Sequence, residues 1–175
     1  LNALDRAMTS DAPMRKSRDI VIHLSNEVGN FAAHLERGNL SEEIVKTIPN
    51  ILRTARYFVS LSDLAAEVGA ESPQLARHLP DGLNEQHGAF IAVVSELIKA
   101  HLTEGERSES EQLAAKLQDL QQRYQELKAA YLTTGANGQI PIADMAVQLE
   151  YISHARRMAE QAVKGTRYLN ALFPH

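Results

Sequence analysis

Apolar residues recur at steps of three, four or seven along almost the whole chain, a spacing that places them on one face of successive helices. No segment shows the strict alternation of a half-buried strand. The spacing therefore predicts an all-α, up-and-down bundle of five or six helices. The clearest row comprises Leu113, Leu117, Leu120, Tyr124, Leu127 and Tyr131.

Helix boundaries follow from caps and prolines. The first helix is expected over about 12–37, ended by Gly38 and Asn39, and Ser41 is the expected N-cap of the next. Because Pro49 would remove an interior hydrogen bond, a short helix (41–47) and a fresh start near Pro49 are predicted. Further helices are expected over about 49–69 and 82–103, then from a capping box at Ser108 and Glu111 to the turn at 135–139, and finally from Pro141.

Length and charge exclude several classes of protein. A chain of 175 residues suits one domain or two small repeats, and a net charge of -4 lacks the basic excess of a nucleic-acid binder. The absence of cysteine excludes disulfides, Cys-ligated zinc and thiol catalysis, and fits the cytoplasm. No apolar run is long enough to cross a bilayer. Because the sequence starts at Leu1 rather than Met, we expect a segment of a longer protein that has a partner domain before it.

A lone carboxylate, Asp63, lies in the apolar helical segment 52–68. This segment resembles the signature helix of the PhoU family, whose motif has the form E-R-I-G-D-x-A-x-x-I. Val59 stands where the motif has its acid, Ser60 replaces the basic residue, and Asp63 is the surviving acidic position. The residues that fit the motif are Ala55, Arg56, Phe58, Leu61, Ser62, Asp63, Leu64, Ala65 and Val68.

A second, more degenerate copy of the motif follows roughly 97 residues later, through Arg157, Met158, Ala159, Glu160 and Ala162. Glu160 takes the Asp position, and Arg156 replaces the acid. The surrounding LEYISHARRMAEQ resembles the cytoplasmic tail of bacterial sodium/phosphate cotransporters. The resemblance implies tandem three-helix repeats, about 12–70 and 82–172, within a single PhoU-like domain.

The same resemblance implies a function without chemistry of its own. The expected role is a regulatory or accessory domain of a sodium-dependent phosphate transporter, at the inner face of the cell membrane. Its expected partner is the membrane domain of that transporter, in the same polypeptide or complex. No nucleophile–base pair is apparent from spacing, so no enzymatic activity is expected.

Metal binding is the alternative function, because PhoU acids hold metal and acids four residues apart share a helix face. The candidate ligands for iron or zinc are Asp63, Glu67 and Glu160, with Glu150 and His154 as further candidates. Against this stand the loss of one acid in each copy, an expected Glu160–Lys164 ion pair, and an interpretation in which Asp63 pairs with an arginine. No resident cofactor is therefore expected beyond a weakly bound metal ion.

Two surface features leave alternatives open. Arg156, Arg157, Lys164 and Arg167 give the last helix a basic face, which suits phosphate, anionic lipid or an acidic partner, or is simply solvated. The row that ends at Tyr131 suits either the core or a homodimer interface.

Overall fold

The computed structural model describes residues 2–35, 41–71, 79–102 and 110–172. Within these ranges every regular element is an α-helix, which confirms the predicted all-α bundle. None of the described helices combines the length and the apolar character that crossing a membrane requires. The five helices are α1 (Asn2–His34), α2 (Glu42–Glu71), α3 (Asp81–Leu102), α4 (Ser110–Ala136) and α5 (Ile142–Leu172).

The first two helices differ from their predicted bounds. Helix α1 begins at Asn2, ahead of the predicted start near residue 12, so residues 2–11 are helical as well. Helix α2 runs unbroken through Pro49, so the predicted fresh start was wrong. Proline removes a single hydrogen bond there, but its fixed φ of about -65° is a helical value, so the helix can continue through it.

The ends of the helices carry the expected caps where the structure describes them. Ser41 Oγ accepts a hydrogen bond from the Ile44 amide at 3.4 Å, as an N-cap does. Helix α4 ends in a Schellman motif, in which Gly138 has a φ of 70° and the Gln139 amide donates to the Thr134 carbonyl. The expected cap at Gly38 and Asn39 and the capping serine at 108 lie outside the described residues.

The chain divides into two compact units. Unit 1 comprises Leu1–Ala66 and Gln161–His175, and unit 2 comprises Glu67–Glu160. The end of α5 therefore belongs to the same unit as α1 and most of α2. The tandem repeats expected over about 12–70 and 82–172 stay a prediction.

The core of unit 2 is formed by apolar side chains of α3, α4 and α5. Leu120, Leu127 and Tyr131 are almost fully buried, so the row on α4 packs in the core. Helix α3 contributes Phe90, Val94 and Leu97, and α5 contributes Ile152, Ala155 and Ala159. Small side chains on α5 leave room for the aromatic rings of the other helices.

The core of unit 1 is smaller and contains hydroxyl groups. Leu64 and Val163 are buried, together with Thr54 and Thr166. Thr54 Oγ1 donates to the Asn50 carbonyl at 2.8 Å, which satisfies the buried hydroxyl within its own helix. A Cβ at Gly165 would lie 3.4 Å from Phe58 Cζ, so α5 approaches α2 closely at this point.

Candidate functional site

The surviving acid of the first motif copy is engaged by an arginine. Arg18 Nε on α1 donates to Asp63 Oδ1 on α2 at 2.7 Å, and the two side chains are 43% and 41% exposed. Because water still reaches both side chains, the pair satisfies Asp63 but contributes little to stability. The structure thus contains the arginine pair that the non-metal interpretation of Asp63 required.

The acid of the second motif copy is held by a neighbour on its own helix. Arg156 Nη1 donates to Glu160 Oε1 at 2.5 Å and to Gln121 Oε1 at 3.3 Å. The Arg156 guanidinium also lies over the Tyr124 ring, 4.7 Å from its centroid. Among the described residues Glu160 pairs with Arg156 and not with Lys164, so that predicted ion pair was wrong.

Two of the remaining candidates, Glu67 and His154, lie close together in unit 2. His154 Nε2 lies 3.6 Å from Glu67 Oε2, and the imidazole is largely buried while the carboxylate is half-exposed. Glu150 is exposed one turn before His154 on α5. In the described ranges no group of three or more His, Asp or Glu side chains is arranged to hold a metal ion. The metal ligands Asp63, Glu67 and Glu160 therefore stay a prediction.

The four basic side chains of the predicted basic face of α5 differ in their exposure to solvent. Arg157 is exposed, whereas Arg156 is half-buried by its contacts with Gln121, Tyr124 and Glu160. Lys164 and Arg167, on the part of α5 that belongs to unit 1, are also exposed. Arg156 thus has a structural role in unit 2, and the other three cations remain accessible to solvent.

A buried polar network in unit 2 was not anticipated from the sequence. The Tyr131 hydroxyl donates to Gln148 Oε1 at 3.0 Å and lies 2.8 Å from His87 Nδ1. Because the hydroxyl proton points to Gln148, His87 Nδ1 carries the proton and donates to the hydroxyl oxygen. The His87 ring also stacks on Tyr151 with 5.6 Å between ring centroids.

Burial shifts both titrating groups of this network toward their neutral forms. It lowers the pKa of His87, and it raises the pKa of Tyr131, which the nearby Tyr151 hydroxyl raises further. The network accordingly keeps a neutral imidazole against a neutral phenol. A signal was present in the sequence, since Gln148 interrupts the apolar row of α5, but the partner of a buried glutamine cannot be deduced from spacing.

Unit 1 contains an apolar cleft of about 400 Å³. Leu24 and Leu169, at its wall, are 58% and 38% exposed. More large apolar side chains stand exposed on α1 and α2 of the same unit: Ile20, Phe31, Ile44, Val45 and Leu52. The residues that form the cleft are Val21, Leu24, Ser25, Val28, Ile51, Thr54, Ala55, Phe58, Leu169 and Leu172.

The part of the chain that the structure describes is thus all-helical, with an apolar cleft in unit 1, a buried polar network in unit 2, and arginine-paired acids in both motif copies. Scans against protein-family models, the curated proteins and the solved structures find no match for this chain.

Proposed function

We propose that this chain is a non-catalytic, PhoU-like regulatory or accessory domain of a sodium-dependent phosphate transporter, and that it acts through helix-face contacts. The proposal places it in the cytoplasm beside the membrane domain of that transporter. Two motif copies in the sequence support the PhoU-like character. The arginine partners of Asp63 and Glu160 support a domain that works without a metal cluster.

The observation that carries the proposal is the exposed apolar surface of unit 1. Soluble monomers rarely expose many large apolar side chains close together, and such surfaces mark interaction sites. Leu24 and Phe31 lie seven residues apart on α1, so they share one helix face, and they are 58% and 69% exposed. An apolar helix face of this kind suits the packing of a partner helix.

Binding to transporter-containing membranes tests the proposal. Purified chain is sedimented with inverted membrane vesicles that contain, or lack, a sodium/phosphate cotransporter membrane domain. We expect transporter-dependent binding that Leu24→Ser weakens by about tenfold, since burying a leucine contributes roughly 1.5–3 kcal/mol. Ile142→Ser is the matched control, because Ile142 is 63% exposed but belongs to unit 2.

Equal sedimentation with both kinds of vesicle would contradict the proposal, as would equal losses in the two variants. A metal analysis of the same preparation distinguishes the alternative function. Iron or zinc bound in stoichiometric amounts, and lost in Asp63→Ala, would favour a metal-binding bundle with ligands on α2 and α5.

A further inference from the structure

A second cleft of unit 1 is lined entirely by side chains that donate hydrogen bonds. Its volume is about 410 Å³, within the range of small-molecule sites. Arg53, Arg56, Tyr57 and Ser60 line it from α2, and Gln161 lines it from α5. The α2 residues follow one another at steps of one, three or four, so successive donors project toward one side of the helix.

The charge around this cleft is opposite to that of the whole chain. The chain carries a net charge of -4, yet the segments 50–62 and 161–172 contain four basic residues and no acidic one. The nearest acid along α2 is Asp63, which pairs with Arg18. The nearest acid along α5 is Glu160, which is paired with an arginine of its own helix. A concave surface with one sign of charge concentrates ions of the opposite sign, so the cleft attracts anions.

One of its arginines is held in place before any ligand arrives. Arg53 Nη1 donates to the Tyr168 hydroxyl at 3.0 Å, and the guanidinium lies 5.1 Å from the centre of that ring. Tyr168 in turn stacks on Tyr57, with 5.5 Å between ring centroids. A guanidinium fixed in this way loses little side-chain entropy when its remaining N–H groups bind an anion.

The other arginine is available for a ligand. Arg56 is exposed and makes no hydrogen bond or ion pair with the residues that the structure describes, and Ser60 lies one turn further along the same face. A planar guanidinium with several N–H donors matches the oxygens of a phosphate group better than a point charge does.

We propose that this cleft, formed by Arg53, Arg56, Tyr57, Ser60 and Gln161, binds the phosphate group of a small anionic ligand. Arg53 and Arg56 supply the charge, and the hydroxyl and amide groups complete the set of donors. The volume leaves space for a group attached to the phosphate. This site does not depend on the proposed transporter function, since it uses a different surface of unit 1.

Calorimetric titration of the full chain at low salt tests the site with inorganic phosphate, ADP and adenosine. We expect a phosphate-bearing probe to bind and adenosine not to bind. Arg56→Gln should weaken binding by about tenfold or more, because a hydrogen bond to a charged group is lost. Arg157→Gln is the matched control, since it removes the same charge from an exposed position in unit 2, and we expect a change of less than about twofold.

A second variant distinguishes specific binding in the cleft from non-specific electrostatic attraction. Ser60→Ala keeps the net charge and removes one donor, and we expect it to weaken binding by about fivefold, as the loss of one neutral hydrogen bond does. Circular dichroism of each variant verifies that the helices are retained. Equal binding by wild type and Arg56→Gln would overturn the site.

Two further probes identify the source of the phosphate. The chain is titrated with phosphatidylglycerol vesicles in the same way. If it binds these vesicles but not free phosphate, and if Arg56→Gln and Ser60→Ala both weaken that binding, the site is supported and its phosphate belongs to a lipid headgroup. Binding of poly-glutamate without binding of any phosphate-bearing probe would overturn the proposal, because the cleft would then recognise acidic protein rather than phosphate. Failure of all phosphate-bearing probes would overturn it as well.

Discussion

The hydroxyl group of Tyr131 is the most sharply testable element of the fold. Tyr131→Phe removes one oxygen from a side chain that is 0% exposed and leaves the packing of the ring unchanged. The change deletes the bond to Gln148 Oε1 and the bond from His87 Nδ1. Gln148 is 4% exposed, so its oxygen loses a partner that water cannot replace.

The expected loss in the free energy of unfolding depends on how deeply the two partners of the hydroxyl, Gln148 and His87, are buried. An unsatisfied buried acceptor costs about 1–3 kcal/mol, whereas the half-buried His87 can recruit water for part of its loss. We therefore expect Tyr131→Phe to lower the free energy of unfolding by about 2 kcal/mol. For a chain of this size, each kcal/mol corresponds to roughly 2–4 °C in melting temperature.

Urea unfolding followed by circular dichroism measures this loss, and Tyr124→Phe is the control. Tyr124 lies seven residues earlier on α4, and its ring face contacts Arg156, while its hydroxyl makes no hydrogen bond among the described residues. We expect Tyr124→Phe to change the free energy of unfolding by less than about 0.5 kcal/mol. Equal losses in the two variants, or no loss in Tyr131→Phe, would refute the reasoning.

Three further outcomes are expected. Burial lowers the pKa of His87 below its unfolded value of 6.5, so at a pH between the folded and unfolded pKa values the unfolded chain binds more protons than the folded chain. The free energy of unfolding is therefore retained above pH 6.5 and falls as the pH drops below it. Urea titrations of His87→Gln should show a smaller fall. Asp63→Ala should lower the free energy of unfolding by less than about 1 kcal/mol, since both partners of its ion pair are about 40% exposed, and should leave the metal content by mass spectrometry unchanged. Gly135→Ala should lower the melting temperature, because its Cβ would overlap Met145 Sδ and force that side chain to move, whereas Gly88→Ala meets open space and should raise it through helix propensity.

Much of the fold could be predicted because helix periodicity is a local property. The spacing of Leu120, Leu127 and Tyr131 placed them on one helix face, and Pro141 and Gly138 marked the turn before α5 by their own backbone preferences. The predicted helix break at Pro49 rested on a local property as well, since proline does remove one hydrogen bond from a helix interior. The helix nevertheless continues through Pro49, because the φ of proline is compatible with a helix and only one hydrogen bond is lost.

The candidate sites were harder to predict because they depend on which side chains meet in the fold. The motif spacing identified Asp63 and Glu160 as unusual, but their arginine partners lie 45 residues away in one case and four in the other. Arg156 was expected to be part of a basic surface and is instead packed against Tyr124. Side-chain direction and burial, rather than sequence spacing, decide which charges meet.

The sequence by itself determined the helical class, the apolar rows, and the charge of each helix segment, because these depend on residues a few positions apart. Tertiary structure alone decided that His87, Tyr131 and Gln148 form one buried network and that two arginines share a cleft with Gln161. These groups are 17 to more than 100 residues apart, and hydrogen bonds are formed within about 3 Å, so no local pattern could specify them.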